Sequence, residues 1–563
     1  MSVLQLRFSQ IDPAAKADIN TLYTSGIKPW SVVNDLRYDN INDPGNYMTL
    51  EHNYSILDGS MEEFPDSPNV PARTWGFWSD VFSDEDGNFG IYSLPTLDIT
   101  FNYVHKSIGL TFLFYPHTDD YASKAQVTWF DSSDNIIHSD IYIIDSDIGL
   151  IPQSIADFKR IKIEFLSTNI RNRYIKLYAI EFGLIRIFND AEISTCNILE
   201  EIDPTVEEIS VNTFNAQIRT RQSIFSPIMS EDFDDMMMRK QPLTVKKDGV
   251  NFGIFFLEKW KDLYQSGIAF NLDAGDAISI LDLYPFDGGL YNNKSIVELL
   301  DEIFNIAFPT QLVKYELDPI YQNSKVTGWI PITNCGTAFQ HIMFVIHAIA
   351  DTSRRSSVWI YEADTEVWLD IDLDEQYKGG SDEPTKYYSG VEVTSYSYSQ
   401  SGENAQLFND TLMVGQHKIN FKEPMYNINV TGATLIQAHV NYAIINVTFQ
   451  GVVLITGLKY IANTLTHSVK EEVTAGQVES IKSYNGYTLV NPNIGQALAQ
   501  KQFDWLQNRI MTRTDIVLDN REVGYLIDVE TRGRNLIGTI TALDINLRAS
   551  RANMVVIGNA VNS

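Results

Sequence analysis

A short aromatic stretch combines one cation with three ring systems: Arg73, Trp75, Trp78 and Phe82. Flat aromatic faces beside a cation are suited to stacking on sugar rings. The alternative is that Trp75 and Phe77, or Trp78 and Phe82, pack inward as core residues, which is the commoner use of such side chains. Both interpretations stay open, and the four residues form the candidate carbohydrate-binding site.

A second group has the residue types of a metal site. Cys335, His341 and His347 follow one another at six-residue steps. In a helix each such step rotates the side chain by about 240°. The three side chains therefore point in different directions, and we do not expect them to share a metal ion.

An acidic segment around Gly87 has some features of a calcium loop. Asp80, Asp84 and Asp86 lie close to this glycine, but the twelfth position of an EF-hand, which needs an acid, is occupied by Ile91. We interpret the segment as a turn, and calcium bound partly by main-chain carbonyls in this region stays open as the alternative.

The local signatures of common enzymes are missing from the sequence. It has no Gly-x-Ser-x-Gly elbow, no His-Glu-x-x-His, no Gly-rich phosphate loop with a lysine and no Gly-x-Gly-x-x-Gly motif. We therefore predict a protein that is not an enzyme and that uses no cofactor and no metal ion.

The composition limits the possible partners. The formal net charge of −30 opposes the counterion release by which DNA-binding proteins gain affinity, so specific nucleic-acid binding is not expected. No stretch approaches the ~20 apolar residues of a membrane-spanning helix, so no membrane span is predicted. Cys196 and Cys335 lie far apart and do not suggest a disulfide framework.

The region from about 45 to 190 alternates apolar and polar residues with period two. Runs such as Leu97–Tyr103 and Ala125–Phe130 are separated by polar turn clusters, which is typical of an antiparallel β-sandwich. The acidic stretch 198–208 is predicted to be a domain boundary, because a new β pattern begins after it and continues to about residue 283.

Helical periodicity appears later in the chain. In Tyr291–Ala307, apolar residues recur at three- and four-residue steps, and Ser295 and Glu298 fit a capping box. Two further helices are predicted from similar steps: Gly336–Ala350 and Ile494–Arg509. The polar segment Asp374–Ser389 is predicted to be an inter-domain loop.

Several segments resemble the discoidin-like modules of tail proteins from phages and prophages of Gram-positive bacteria. They are Thr49–Ser60, Gly76–Asp80, Ile108–Phe112 and Leu177–Gly183. Further segments are similar to the hub domains of the same proteins: Ala274–Asp282, Thr327–Pro331, Ala338–Ile342, Ala350–Arg354, Glu522–Tyr525 and Gly538–Ile540. Their order along the chain carries the resemblance more than any one of them.

The resemblance implies a mainly β (α+β) fold, with a discoidin-like β-sandwich followed by tandem hub-type β-barrels and a small helical insert. The implied domains are an N-terminal arm (1–40), the sandwich (41–197), the first barrel (205–285), an α/β insert (286–375) and the second barrel with a C-terminal helix (385–563).

The resemblance also implies a function. Related hubs are homotrimers that cap the tail tube, so we expect a virion protein of the tail tip or baseplate, assembled in the cytoplasm of the bacterial host. Its expected partners are the tail tube, distal tail proteins, the tape-measure protein and other baseplate proteins, and its expected role is to anchor these parts and gate the channel on host attachment. The first alternative is a receptor-binding tail protein that recognises a host cell-surface glycan. The second is a tail-associated lysin.

Overall fold

The computed structural model describes residues 3–12, 15, 18–26, 77–90, 94–114, 120–220, 240–265, 267–309, 312–363, 366–377, 379–474, 476, 478–531 and 534–561. Strands dominate these residues and helices are few, so the predicted mainly β fold class is confirmed.

The earlier strands are β1 (Leu4–Ile11), β2 (Ile19–Ser25), β3 (Phe77–Trp78), β4 (Thr96–Ser107), β5 (Leu110–Phe114), β6 (Ala122–Phe130), β7 (Ile136–Ile143), β8 (Ile148–Ile151), β9 (Ile155–Thr168), β10 (Lys176–Glu181), β11 (Gly183–Asn189), β12 (Ile193–Glu201), β13 (Thr213–Thr220), β14 (Pro242–Lys247), β15 (Val250–Gln265), β16 (Gly267–Gly275), β17 (Pro285–Phe286) and β18 (Gly289–Ser295).

The later strands are β19 (Tyr315–Leu317), β20 (Lys325–Ile330), β21 (Thr333–Asn334), β22 (Ile349–Asp351), β23 (Val358–Tyr361), β24 (Val367–Ile371), β25 (Ser381–Pro384), β26 (Gly390–Leu412), β27 (Gly415–Asn420), β28 (Met425–Thr431), β29 (Thr434–Ala438), β30 (Tyr442–Val447), β31 (Gly451–Lys470), β32 (Ile481–Tyr484), β33 (Ile510–Val517), β34 (Leu526–Thr531), β35 (Arg534–Asn546) and β36 (Arg551–Val561). The α-helices of the described residues are α1 (Ala277–Leu281), α2 (Ile296–Ala307), α3 (Cys335–Ile346) and α4 (Gly495–Leu506), and a 3-10 helix spans Pro319–Tyr321.

The chain forms two compact units: unit 1 comprises residues 1–192 and 222–251, and unit 2 comprises residues 193–221 and 252–563. Unit 1 contains a five-stranded antiparallel sheet in the order β2-β4-β9-β6-β7 and a four-stranded antiparallel sheet in the order β3-β10-β5-β8. Their inner faces share one hydrophobic core, so unit 1 contains the predicted β-sandwich.

Aromatic side chains fill this core. Phe165 on β9 packs edge-on against Phe112 and Phe114 of β5, with ring centroids 5.8 and 6.1 Å apart. It also packs at a tilt against Phe77 of β3, at 5.7 Å. All four rings are almost completely buried, and they join the two sheets because inward-facing residues alternate with outward-facing ones along each strand.

The N-terminal residues of unit 1 differ from the predicted arm 1–40. β1 pairs with β11 on one side and with β14 on the other, and β2 pairs with β4 at an edge of the five-stranded sheet. The described part of the predicted arm is therefore built into sheets. Leu4, Leu6 and Phe8 alternate as buried residues along β1 and supply the hydrophobic face that a free arm would lack.

Unit 2 contains a large antiparallel sheet in the order β15-β16-β13-β12-β35-β36-β33-β25. β12 pairs with β13 on one side and with β35 on the other, so strands from the two predicted barrels, 205–285 and 385–563, belong to one sheet. The observed unit limit also lies before the predicted boundary 198–208. Such pairings join residues hundreds of positions apart, and local period-two patterning carries no information about them.

The predicted loop Asp374–Ser389 contains β25, which pairs with β33. After it, β26 and β31 form a long antiparallel pair, with β28 added beside β31 and β32 beside β26. α4 packs on both strands of this pair.

The three predicted helices are present as the shorter helices α2, α3 and α4, whereas α1 lies in a region that was predicted to continue the β pattern. All six apolar residues of the predicted stripe on α2 are buried: Ile296, Leu299, Leu300, Ile303, Phe304 and Ala307. The predicted capping box is wrong, because Ser295 makes no side-chain cap bond and Glu298 pairs with Lys294 instead. α2 packs on α3 through Phe304 and Phe339, whose ring centroids are 5.9 Å apart.

Candidate functional site

The structure describes two of the four residues of the candidate carbohydrate site, Trp78 and Phe82. Arg73 and Trp75 lie outside the described residues. Trp78 is only 4% exposed and forms part of β3, whereas Phe82 is 51% exposed and packs edge-on against Tyr174 at a centroid distance of 5.7 Å. The inward-packing alternative therefore holds for Trp78, and of the two described rings of this site only that of Phe82 is exposed to solvent.

Trp78 borders a buried charged group that sequence reasoning missed. Lys176 places its Nζ atom 5.5 Å from the Trp78 ring centroid and 3.4 Å from Oδ2 of Asp120. Arg173 places Nε 3.8 Å from the same carboxylate. Burial lowers the pKa of Lys176 to about 7, since the ammonium loses its hydration. These residues are far apart in sequence, so no local motif could have revealed the group.

The three residues of the candidate metal group lie in α3 or at its end. Cys335 begins α3, His341 packs against Tyr487 at 5.8 Å, and His347 ends the helix in the left-handed conformation. Within the described ranges, no three or more His, Cys, Asp or Glu residues are grouped so that they could hold a metal ion.

The acidic segment around Gly87 forms the predicted turn. The Oδ1 atom of Asp84 accepts hydrogen bonds from the backbone N–H groups of Asp86 and Asn88, at 2.9 and 2.8 Å. The backbone N–H of Asp84 donates to the carbonyl of Asn88. The carboxylate thus organises its own loop.

Unit 2 contains a buried group of polar side chains, here called the polar cluster: Asn212, Asp276, Asp351, Thr352 and Ser353. They come from the segment before β13, the position just after β16, and the end of β22 with the turn that follows it. All five are at most 4% exposed. Three parts of the chain that are far apart in sequence therefore meet at this point.

Asp276 is the acceptor at the centre of the polar cluster. Its Oδ1 accepts from the backbone N–H groups of Ile278 and Ser279 at 2.9 and 3.3 Å, and so caps α1. Its Oδ2 accepts from the N–H of Asn212 at 2.9 Å and from the hydroxyl of Thr352 at 2.5 Å. One carboxylate therefore holds a helix start and two further chain segments together.

The amide of Asn212 completes the polar cluster. Its Nδ2 donates to Oγ1 of Thr352 and to Oγ of Ser353, each at 3.0 Å. The Ser353 hydroxyl and N–H donate in turn to Oδ1 of Asp351 at 2.7 and 2.9 Å. A buried amide whose donors are satisfied in this way fixes a unique geometry, because a shift of any member would leave a polar group unpaired.

Charged pairs adjoin the polar cluster. Arg354 lies in the left-handed region with φ of 55°, and its Nε is 3.4 Å from Oε1 of the buried Glu200. The next residue, Arg355, reaches Glu522 at 3.4 Å and lies over the ring of Trp359. The left-handed backbone at Arg354 is unusual for a residue other than glycine.

Burial dominates the electrostatics of this region. It raises the pKa of Glu200 and of Asp276 to about 7. Arg354 lowers the pKa of Glu200, and hydrogen bonds lower the pKa of Asp276, but burial has the larger effect on both groups. Both carboxyl groups are at most 1% exposed. The arrangement connects distant segments of the chain.

The sequence contained a partial signal for this region. Asp276 and the run Asp351–Arg354 lie in two of the segments that resemble hub domains. Asn212, Glu200 and Glu522 were missed as partners, because single polar residues in β patterns carry no sign of their distant contacts.

No family model matches the chain, and no curated protein matches it in sequence. Among solved structures, it is similar to the 43 kDa tail protein of prophage MuSo2 from Shewanella oneidensis, with 11% identity over 66% of this chain and 95% of that one and a TM-score of 0.41. A tail protein from Neisseria meningitidis has 10% identity over 66% and 94% of the two chains, with a TM-score of 0.41. The prophage tail protein gp18 from Listeria monocytogenes has 10% identity over 67% and 92%, with a TM-score of 0.37.

None of the helices in the described part of the chain has the length and apolar character needed to cross a membrane.

Proposed function

We propose that the chain is a structural hub protein at the tip of a phage tail or tail-like injection particle. In this role it caps the tail tube, anchors other baseplate parts and opens the channel when the particle engages its host. The observation that carries the proposal is the polar cluster. Two segments that resemble hub domains, 274–282 and 350–354, contribute Asp276 and Thr352, which hydrogen-bond to each other in the folded chain.

The proposed assembly is a homotrimer that contacts the tail tube, distal tail proteins, the tape-measure protein and other baseplate proteins. The sequence resemblance supports this assembly and an origin in a phage or prophage of Gram-positive bacteria, with the sandwich of unit 1 as a discoidin-like module. The net charge of −30 suits a channel protein, since like charge keeps passing DNA from adhering.

We also propose that the protein acts without catalysis. Its most strongly perturbed carboxyl groups, Glu200 and Asp276, are buried and hold the chain together. A zymogram with host cell walls tests this proposal, and a cleared band from the purified full-length chain would support the lysin alternative instead.

Labelling of purified particles tests the location. An antibody against the full-length chain should bind at the tail tip in electron micrographs, and an antibody against the major capsid or sheath protein serves as the control. Native mass measurement of the isolated tip should give three copies. Label along the whole tail, or six copies at the tip, would contradict the hub proposal.

The exposure of Phe82 favours a second candidate function, which is recognition of a host glycan by the sandwich. Phe82 and Tyr174 present an aromatic edge beside the turn at Asp84. Phe82→Ala is the suitable test, because Trp78→Ala would empty a core position and confound binding with stability. We expect no glycan-array signal from the full chain. A signal that Phe82→Ala abolishes at an unchanged melting temperature would establish glycan recognition.

A further inference from the structure

Two turns of unit 2 expose large apolar side chains. The turn between β26 and β27 carries Met413 and Val414, which are 63 and 65% exposed. The turn between β30 and β31 carries Phe449, which is 83% exposed, and Val452 near the start of β31 is 63% exposed. These four residues are here called the apex.

Strand pairing places the two turns side by side. Leu412, the last residue of β26, pairs with Gly451, the first residue of β31. Gly415, the first residue of β27, pairs with Val447, the last residue of β30. Both turns therefore cross between the same two sheets at the same end, and the side chains of the apex form one patch. A contiguous apolar patch of this kind marks a contact with a protein or a membrane.

The apex lies at the end of a long strand pair. β26 and β31 stay paired from Gly390 to Leu412 of β26. α4 packs near the first of these ends, where Nε2 of Gln496 donates to the carbonyl of Ser468 at 3.5 Å. The apex is at the opposite end, so α4 does not cover it.

The surroundings of the apex carry no charge. Residues 411–416 and 445–452 include no Asp, Glu, Lys or Arg, although 20% of the chain is charged, and the turn 432–433 between β28 and β29 is uncharged as well. The first charged residues along the strands are Asp410, two positions before the end of β26, and Lys418, three positions after the start of β27. At a rise of about 3.3 Å per residue, the uncharged layer beneath the turns is roughly 7 to 10 Å deep.

The backbone of the first turn is hydrogen-bonded within the protein. The carbonyl of Met413 accepts from Nε2 of His417 at 2.8 Å. A polar backbone group that leaves water without such a partner is strongly disfavoured in an apolar medium. The imidazole therefore lets this turn leave water without an unpaired carbonyl.

We infer that the apex inserts into the interfacial layer of a lipid bilayer. Amphipathic segments that lie at the boundary between head groups and acyl chains enter it by about 5–10 Å, and the uncharged layer at the apex has the same depth. Phe449 and its aliphatic neighbours would contact the acyl chains, while uncharged polar residues such as Thr448 and Gln450 would lie at the level of the head groups.

Two observations favour a lipid surface over a second protein. Contacts between proteins usually keep a polar rim that tolerates charges, whereas a charge inside a bilayer is strongly disfavoured, and the charge-free layer fits the second case. The net charge of −30 also repels the chain from anionic leaflets, so a part without carboxylates is the part that can approach them.

This lipid contact goes beyond the proposed hub function and does not depend on it. Labelling and copy number at the tail tip test the hub, whereas vesicle binding by the purified full-length chain tests the apex. Either proposal can fail while the other holds.

Vesicle flotation tests the contact. The full-length chain should float with phosphatidylcholine vesicles, and its binding should change little between low and high salt because the apex is uncharged. Vesicles rich in phosphatidylglycerol should bind it less well at low salt, since the chain is acidic. Stronger binding to these anionic vesicles would indicate a cationic site and overturn the inference.

A charge placed at the apex provides the decisive variant. Phe449→Asp should lower the partition coefficient about tenfold or more, because it replaces an inserting ring by a carboxylate. Val478→Asp is the matched control: Val478 is 85% exposed and lies near Ser480, whose N–H donates to Oγ of Ser389 just before β26, at the other end of the strand pair. This control should bind like the wild type, and unchanged melting curves would show that both variants are folded.

An introduced fluorophore tests the insertion itself. Phe449→Trp should add an emission component that shifts to shorter wavelength with vesicles and is quenched by brominated phosphatidylcholine, above the background of the native tryptophans in the wild type. A wild-type chain that does not float, or Phe449→Asp that floats equally well, would overturn the inference. Dissociation of an oligomer by Phe449→Asp, in a chain that ignores vesicles, would overturn it too and assign the apex to a contact between copies.

Discussion

In unit 1, β9 is joined to the facing sheet through the ring of Phe165, whereas in unit 2 the end of β16 is joined to distant segments through the carboxylate of Asp276. The first connection depends on apolar burial and aromatic packing. The second depends on the satisfaction of every donor and acceptor in a dry site. Apolar packing tolerates small shifts, while the polar cluster specifies one arrangement of three chain segments.

This difference explains which parts of the fold could be predicted. Core aromatics such as Phe165 repeat with period two, and the apolar stripe of α2, with Leu299 at its centre, repeats with the period of a helix, so both were predicted from sequence. Asn212 and Glu200 look like ordinary polar residues of a β region. Their partners lie far along the chain, and only the folded structure brings them together.

The candidate carbohydrate site shows the same limit. The sequence identified an aromatic stretch but could not assign Trp78 to the core and Phe82 to the surface. The face of a residue depends on strand register, and a shift of one position exchanges the two faces. The pairing of Phe77 and Trp78 with β10 sets that register here.

The largest expected effect concerns the aromatic connection in unit 1. Phe165→Ala should destabilise the sandwich by about 4 kcal/mol, because it removes a buried ring and leaves a cavity between the sheets. Phe165→Leu should cost clearly less. Chemical denaturation followed by tryptophan fluorescence, to which the buried Trp129 of the sandwich contributes, measures the change. A loss below about 1 kcal/mol for Phe165→Ala would show that the sheets do not depend on this ring.

The next effect concerns the centre of the polar cluster. Asp276→Ala should destabilise unit 2 by about 3 kcal/mol, because backbone donors and the Thr352 hydroxyl lose their acceptor in a buried site. Asp276→Asn should cost less, since its amide oxygen can still accept. Hydrogen exchange of the amides in β13 and β16 reports the local loss. Equal protection in wild type and in Asp276→Ala would contradict the role given to this carboxylate.

A smaller effect concerns the pH dependence of unit 2. Burial raises the pKa of Glu200 to about 7 in the folded chain, above the ordinary value of about 4.3 for an unfolded glutamate. The protonated Glu200 carboxyl stabilises unit 2 fully at pH values below its pKa in the unfolded chain. This stabilisation is lost as the pH rises through about 7. The melting temperature of unit 2 should therefore fall between pH 5 and pH 8.

Glu200→Gln should flatten this pH dependence, because the amide does not titrate and its oxygen can still accept from Arg354. The Asp276 carboxyl shifts in the same direction, so part of the slope should remain. Calorimetry at several pH values measures the slopes. An identical slope in wild type and Glu200→Gln would mean that another group controls the transition.

The smallest effect separates two accounts of the start of α2. In a capping box, Ser295→Ala and Glu298→Ala would each remove a hydrogen bond to the backbone and cost about 1 kcal/mol. The structure shows no side-chain cap bond from Ser295, and it pairs the exposed Glu298 with Lys294 one turn earlier. An exposed pair of this kind contributes about 0.4 kcal/mol. Glu298→Ala should therefore cost about that much in chemical denaturation, with the loss disappearing at high salt, and Ser295→Ala should cost no more. A salt-independent loss of about 1 kcal/mol in both variants would restore the capping box, because a hydrogen bond to a backbone amide is not screened as an exposed ion pair is.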